Sequence, residues 1–330
     1  MSAIPWRRDE VGDLPRVKPK PFTSPEEIRA RLLGCGYLAD AMTADAVFLA
    51  ERLGRPLLLE GPAGVGKTEL AKAVAATVGA RLVRLQCYEG LDETKALYEW
   101  DYRKQLLWLQ AANPLSVGPR QREATTSATV HPSADQMAWR QTSAALFSEE
   151  FLLARPLLEA ILAADPVVLL IDEIDRVEVE AEALMLEVLS DFQVTIPELG
   201  TLRARSQPLV FLTSNGTREL SDALRRRCLF LPVSYPDIAR EAEILRLRVP
   251  EIEPALITQI VRIVHTIREL NLRKPPSLSE AIDWARTLAL LNITELDGST
   301  FARTITVLLK QQADIDVVQH ELDIPQLGGN

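Results

Sequence analysis

The stretch GPAGVGKT, residues 61–68, constrains the fold of this chain more than any other feature. An apolar run at 56–59 precedes it, and an amphipathic stretch with Leu70, Val74 and Val78 at helical spacing follows it. This order predicts a strand, a loop and a helix. Glycines allow such a loop to turn tightly with its N–H groups inward, and the helix contributes its positive end. The pattern therefore predicts a loop that holds a triphosphate.

Two side chains at the end of this loop extend the prediction. Lys67 adds a full positive charge, and Thr68 supplies a hydroxyl group for a magnesium ion, so ATP and Mg²⁺ are the expected ligands. The alternative is a glycine-rich turn that only caps a helix, and it would require the complete G-x-x-x-x-G-K-[ST] pattern to have arisen by chance. The predicted nucleotide-binding residues are Gly61, Pro62, Ala63, Gly64, Val65, Gly66, Lys67, Thr68 and Glu69.

The composition narrows the class of protein. The length of 330 residues suggests two domains, and a hydrophobic content of 47% is sufficient for a sizeable core. The three cysteines are odd in number and the three histidines are scattered, which indicates neither a disulfide framework nor a zinc site and favours a reducing cytoplasm. No run approaches the roughly 20 apolar residues of a membrane span or has the form of a signal peptide. The net charge of −9 would repel a phosphate backbone, so nucleic acid is not an expected partner.

The order of predicted elements places an α/β nucleotide-binding domain, residues 22–235, before a helical lid domain and tail, residues 236–330. Residues 1–21 mix prolines with charges and are predicted to be mobile. Residues 113–142 are rich in Ser, Thr, Pro and Gln and are predicted to form an exposed insertion. Five strands are predicted at 56–59, 80–87, 167–171, 209–215 and 229–233.

Helices are predicted around these strands. Ser24 and Pro25 predict a helix that runs to about Leu33, because serine caps and proline fits a first helical turn. Residues 88–110 are predicted as a loop followed by a helix, and residues 147–165 show helical spacing. The alternation on both sides of a Pro-Glu-Leu-Gly turn predicts a hairpin at 193–207. Further helices are predicted at 43–52 and 180–191, and three helical stripes lie between 257 and 308.

Polar residues follow two of the predicted strands. In open parallel sheets ligands lie at the carboxyl ends of the strands, and VVLLIDE ends there in Asp172 and Glu173. Asp172 is placed to hold the magnesium shell, and Glu173 to orient or deprotonate an attacking water. Asn215 ends the neighbouring strand, where its amide could position the same water. The alternatives are a charged helix cap for the two acids and a simple turn for Asn215.

Three arginines, 225–227, precede the last strand. A run of this kind is usually a solvated face. An ATPase that works as a ring, however, needs an arginine offered across a subunit boundary to offset charge in the transition state. Arg227, in preference to Arg226, is the predicted finger.

Taken in order, these features resemble an AAA+ ATPase of the MoxR family over about residues 24–310. They are the phosphate loop, the apolar strand ending in DE, a hairpin before the Asn215 strand, the arginine run and the helical lid. DEIDR, residues 172–176, is similar to the DEINR of that family. The segment CYEGLD…ALYEWDY is most similar to the branch found in gene clusters for carbon monoxide dehydrogenase and related molybdenum hydroxylases.

The resemblance implies an α/β core with a parallel sheet of order 5-1-4-3-2, a smaller all-α lid, and a homohexameric ring with ATP between subunits. It implies that the protein is a chaperone that matures a protein client, and that this client is a metalloenzyme. It also implies a von Willebrand factor A domain protein as partner. It also implies an added segment after the second strand that faces the client or the central pore. There Tyr98, Trp100 and Tyr102 would either contact the client or pack inside the domain.

The lid departs from the family pattern at one place. Family lids often carry an arginine at the start of the third helix, but PSLSEA offers Glu280 there, with Arg273 and Arg286 nearby. The segment GYLAD, residues 36–40, resembles the one whose backbone contacts the base, so Tyr37 joins the predicted nucleotide-binding residues.

Three functions fit a core of this kind. The first is ATP-driven remodelling of a protein client, the second a nucleic-acid motor or loader, and the third a scaffold that binds ATP without turnover. The excess of acidic over basic residues and the acidic hairpin turn at Glu198 argue against the nucleic-acid motor or loader. The presence of Glu173 and Asn215 argues against the third.

Overall fold

The computed structural model describes residues 22–112, 142–143 and 145–321. The predicted mobile segment 1–21, nearly all of the predicted insertion 113–142, and residues 322–330 of the tail lie outside this part. Within the described ranges, none of the helices has the length and apolar character needed to cross a membrane.

The chain up to Pro232 contains both strands and helices. The strands, in chain order, are β1 (Leu57–Glu60), β2 (Arg81–Gln86), β3 (Tyr98–Trp100), β4 (Leu152–Ala154), β5 (Val167–Asp172), β6 (Gln193–Ile196), β7 (Gly200–Arg203), β8 (Leu209–Ser214) and β9 (Leu229–Pro232). The helices of this part are Pro25–Gly34, Ala41–Leu53, Lys67–Val78, Glu93–Ala96, Tyr102–Ala112, Pro156–Leu162, Val179–Asp191 and Asp222–Arg227.

Five of the strands form one parallel sheet in the order β2-β5-β8-β1-β9. When these five are numbered along the chain, the order is the expected 5-1-4-3-2, which is confirmed. Every residue of β5 is buried, as in a central strand covered on both faces. Alternate residues face opposite clusters: Leu58 and Leu169 lie in one, while Leu57, Leu59 and Leu170 lie in the other. Helices therefore cover both sides of the sheet.

Local chemistry explains the starts of the first two helices. The side chain of Ser24 accepts a hydrogen bond from the N–H of Glu27, and Pro25 occupies the first turn, as predicted. The carboxylate of Glu27 reaches back to the N–H of Thr23, at 2.7 Å, rather than to Ser24 itself. Asp40 caps the second helix in the same way, by accepting from the N–H of Thr43.

Two small antiparallel pairs stand outside the main sheet. The predicted hairpin is confirmed as β6 and β7, with Ile196 opposite Gly200. The other pair, β3 with β4, was not predicted, because the stretch around Leu152 was assigned to a helix and the stretch around Tyr98 to a loop. Both of those assignments are wrong. Each strand is three residues long, too short for a period of two to be distinguished from a helical one.

The pairing of β3 with β4 decides what the aromatic residues of this segment do. Trp100 is buried, and its ring packs edge-on against Phe147 with centroids 5.2 Å apart. Tyr98 packs partly against the same core, whereas Tyr102 is 60% exposed. Of the three, Tyr102 is the most available to another molecule.

Beyond Pro232 the described chain is helical. The helices are Ile238–Arg248, Pro254–Glu269, Leu278–Leu290, Gly298–Leu308 and Gln312–Glu321. They enclose a core of their own centred on Trp284, whose ring packs edge-on against Phe301 with centroids 5.8 Å apart. The indole N–H of Trp284 donates to Oγ1 of Thr304 at 2.9 Å, so the one polar atom of the buried ring is satisfied.

Candidate active site

The phosphate loop joins the end of β1 to the helix Lys67–Val78. Gly64 and Gly66 have φ of 73° and 100°, left-handed conformations that favour glycine. A side chain at Gly61 would overlap the carbonyl oxygen of Val233. Gly66 is the N-cap and has no side chain to cap the helix, so the first-turn N–H groups face the loop as donors for an anion.

Lys67 connects this loop to a distant strand. Its ammonium group donates to the carbonyl oxygens of Gly61 and Pro62, both at 2.7 Å, and to Oδ1 of Asn215 at 2.9 Å. Burial lowers the pKa of Lys67, and nearby carboxylates, Asp175 foremost, oppose that shift. A cation inside the loop, beside the polar tip of a second strand, is suited to a terminal phosphate.

Asp172 ends β5 and is almost entirely buried. Its Oδ1 accepts hydrogen bonds from the hydroxyls of Thr68, at 3.0 Å, and Thr213, at 2.5 Å. Its Oδ2 accepts from Nη2 of Arg84 at 2.6 Å. The Thr68 hydroxyl and the Asp172 carboxylate are thus adjacent oxygen ligands of the kind that Mg²⁺ prefers, and they fit the expected ion.

Glu173 has a strained backbone, with φ 59° and ψ 49°. For a residue with a side chain, this left-handed conformation costs about 1–3 kcal/mol and is typical of functional sites. Its N–H donates to Oγ1 of Thr213 at 2.9 Å. Its Oε2 accepts from Nε2 of Gln86 and pairs with Nε of Arg176, both at 3.0 Å. Two donors therefore hold the carboxylate beside Asp172.

Asn215 follows β8, and the next residues are fixed by Asp175. Oδ2 of Asp175 accepts from the N–H of Thr217 at 3.0 Å and from its hydroxyl at 2.6 Å. Burial by itself would raise the pKa of Asp175, but the hydrogen bonds from Thr217 outweigh it and lower the pKa below its ordinary value. Asp175 therefore stays ionised near neutral pH and holds the Asn215 loop against the end of β5.

The three arginines lie in different surroundings. Arg225 turns inward, where its Nη2 lies 3.1 Å from Oε2 of Glu60. Arg226 and Arg227 are exposed. Their backbone is held by Arg55, which donates to the carbonyl oxygen of Arg226 and, at 3.1 Å, to that of Arg227. Arg225 is thus one-third exposed and paired, whereas the second and third arginines of the run are the more exposed.

A cavity of about 680 Å³ opens beside the phosphate loop. Tyr37 lies on its wall, and a Cβ placed on Gly66 would be 3.8 Å from the Tyr37 ring. Burial raises the pKa of Tyr37, so the side chain remains a neutral phenol. Glu69, in the first turn of the loop helix, lines the same space. The volume is within the range of small-molecule sites, and the cavity connects the GYLAD segment to the loop.

The lid forms the other wall of this cavity. Oγ and N of Ser279 donate to the carbonyl oxygen of Gly64, at 3.2 Å and 3.1 Å. The carboxylate of Glu280 accepts a hydrogen bond from the N–H of Ser277 at 2.7 Å and completes a capping box. Glu280 therefore caps the helix Leu278–Leu290. Arg286 lines the cavity near Asp283, with Nη1 3.7 Å from Oδ1. Of Arg273 and Arg286, Arg286 is therefore the one that lines the cavity beside the phosphate loop.

Several contacts at this site were not predicted from the sequence. Thr213 bridges Asp172 and Glu173, and Arg84 and Gln86 reach the two acids from the edge strand β2. The alternation of ARLVRLQC does place Arg84 and Gln86 on one face of a strand. It does not reveal that β2 pairs with β5, with Gln86 opposite Asp172.

A phosphate loop at the end of the first strand, with acidic and amide side chains at the ends of its neighbours, defines a P-loop nucleotide-binding protein. The model of the ATPase family associated with various cellular activities (AAA) matches residues 57–232, and the chain belongs to this family. That span begins at β1 and ends with β9.

Solved structures with a similar fold include RuvB of Thermotoga maritima. Its P216G mutant is 18% identical, with 86% of this chain and 76% of that chain covered and a TM-score of 0.47. The T. maritima RuvB Holliday junction branch migration motor is also 18% identical, with 93% and 80% covered and a TM-score of 0.44. These scores are too low to add to the family match.

Proposed function

We propose that this AAA protein hydrolyses ATP in a ring and uses the energy to remodel a protein client. The observation that carries the hydrolytic part is the meeting of three separate segments. Lys67 contacts Asn215, and the next residue, Thr68, contacts Asp172. Thr68 and Asp172 would hold Mg²⁺, which when bound neutralises charge on the transferred phosphoryl group. Glu173 would orient or deprotonate the attacking water, and Asn215 would position it.

The proposal of a ring rests on the exposure of two arginines. Arg225 is paired with Glu60, whereas Arg226 and Arg227 project into solvent at the end of a short helix. An exposed cation of this kind serves catalysis if a neighbouring copy presents its own pocket to it. We therefore assign Arg227 the role of the arginine that acts across the boundary of a homohexamer, with Arg226 as the other candidate.

The client side of the proposal depends on the resemblance to the MoxR family. DEIDR supports the family, and CYEGLD…ALYEWDY favours the branch associated with molybdenum hydroxylases, which suggests a metalloenzyme client and a von Willebrand factor A domain partner. The net charge of −9 and Glu198 in the hairpin turn disfavour nucleic acid. Among Tyr98, Trp100 and Tyr102 of the added segment, Tyr102 is the most exposed, at 60%. A reducing cytoplasm suits the free cysteines Cys35, Cys87 and Cys228.

The test is a substrate trap. The Glu173→Gln variant, loaded with ATP, should retain a molybdenum hydroxylase and a von Willebrand factor A domain protein. The Lys67→Ala variant, which lacks the phosphate-binding cation, should retain neither. A purified ring that releases no phosphate, with or without these partners, would indicate a scaffold. Binding to DNA that weakens steeply as salt rises would indicate a nucleic-acid motor.

A further inference from the structure

The segment from Asn215 to Ser221 joins the end of β8 to the arginine helix Asp222–Arg227. Two buried carboxylates hold it. Asp175, beside the magnesium ligands, accepts from the N–H and the hydroxyl of Thr217. Glu182 holds the later part of the segment. One short connection thus links a subunit's own nucleotide site to the arginines that it presents outward.

Glu182 lies on the helix Val179–Asp191 and is 1% exposed. Its Oε1 accepts from the backbone N–H of Ser221 at 2.8 Å, and its Oε2 accepts from Nη2 of Arg218 at 2.8 Å. Burial by itself would raise the pKa of Glu182, but these hydrogen bonds outweigh it and lower the pKa. A buried carboxylate is costly unless it is bonded in this way, so both contacts are needed to keep it there.

Ser221, which Glu182 anchors, is the N-cap of the arginine helix. Its side chain accepts from the N–H of Leu224 at 3.3 Å. At the other end of the helix, Arg55 holds the carbonyl oxygen of Arg227, at 3.1 Å. The helix is therefore fixed at its start and at its end, while the last two arginine side chains remain exposed.

We propose that Glu182 is a positioning residue for the arginine that each subunit offers to its neighbour. Glu182 fixes the start of the arginine helix through Ser221, and through Arg218 it ties this helix to the segment that begins at Asn215. The inference rests on the proposed ring. Its consequence is specific: loss of Glu182 impairs the pocket of the adjacent subunit and leaves the subunit's own pocket intact.

The Glu182→Gln variant tests this directly. An amide can accept only one of the two hydrogen bonds and turns a donor toward the other partner. We expect ATP affinity within about twofold of the original, because the pocket residues are untouched, and ring hydrolysis lower by about tenfold or more, because a misplaced catalytic group is costly. Glu187→Gln, an exposed glutamate on the same helix, is the matched control and should keep full activity.

The decisive readout is a mixed ring. A Lys67→Ala chain has a defective pocket but an intact arginine helix, so mixing it with Glu182→Gln should restore hydrolysis, as it should with Arg227→Ala. If hydrolysis is restored in mixed rings that contain Arg227→Ala but not in those that contain Glu182→Gln, Glu182 acts on its own pocket or on folding, and the inference is overturned. If neither recovers in assembled rings, the proposed ring mechanism itself fails.

A second variant covers the case in which Glu182→Gln does not fold or assemble. Arg218→Gln removes the other partner of the pair, and its side chain is one-third exposed, so the substitution is milder. If mixing Arg218→Gln chains with Lys67→Ala chains restores ATP hydrolysis, the inference is supported. Absence of recovery, in rings of the same size by chromatography, overturns it.

Discussion

The ammonium group of Lys67 lies 2.9 Å from Oδ1 of Asn215, although the two residues are 148 positions apart in the chain. They meet because β1 and β8 are parallel neighbours, with Glu60 opposite Ser214. Whatever follows each strand therefore emerges at the same edge of the sheet. Asp172 reaches this edge from β5, the neighbour of β8 on the other side.

Glu173→Gln should leave ATP binding intact and lower turnover by about 10²–10⁴-fold, because it removes the group that orients the water and keeps the metal ligands. Fluorescent ATP titration and phosphate release measure the two effects. Glu178→Gln, an exposed acid further along the chain, is the control. Turnover near the original level would reject a catalytic role for Glu173.

Arg227→Ala should depress hydrolysis in the assembled ring by about 10³-fold, the lower end of what such arginines contribute. The pocket of the same chain is unchanged, so ATP affinity should hold. Adding Lys67→Ala chains should restore part of the activity, since their arginines are intact. Arg226→Ala, measured in parallel, tells which exposed arginine acts, and mixed rings without recovery would exclude action between subunits.

Gly64→Ala should weaken ATP binding by about tenfold or more. A Cβ at this position would overlap the Ser277 side chain, which forces the lid away from the phosphate loop. Gly79→Ala is the matched control: φ is 65° there, against 73° at Gly64, but nothing lies within 4 Å of the added carbon. Both variants should lose about 1 kcal/mol of stability from backbone strain, and only Gly64→Ala should lose affinity. Equal affinities would show that the lid contact does not matter for binding.

Trp284→Ala should destabilise the helical part by about 3–5 kcal/mol, because it empties the centre of its core. Trp284→Phe keeps much of the volume and loses the hydrogen bond to Thr304, at a cost of about 0.5–1.5 kcal/mol, because the Thr304 hydroxyl still donates to the carbonyl oxygen of Thr300. Urea unfolding followed by circular dichroism measures both. A smaller loss for alanine than for phenylalanine would contradict this account of the core.

Much of the fold could be predicted because its signals are local. The burial of β5 follows from five apolar residues in a row, and the hairpin β6–β7 from alternation around a turn. The short strands β3 and β4 were missed, because three residues carry little periodicity and their pairing joins Trp100 to Leu152 across a long stretch of chain. The secondary-structure propensity of a short segment carries no information about such distant contacts.

The sequence by itself determined the phosphate loop, the strand ends bearing Asp172 and Asn215, and the helical lid. Glycine at positive φ, apolar periodicity and side-chain caps act within a few residues and can be read along the chain. Only the tertiary structure decided that Arg225 pairs with Glu60 while its two neighbours stay exposed, and that Glu182 anchors the helix that carries them. These choices depend on which strands and helices lie side by side, because a charged group is bonded or left in solvent according to neighbours that are remote in sequence.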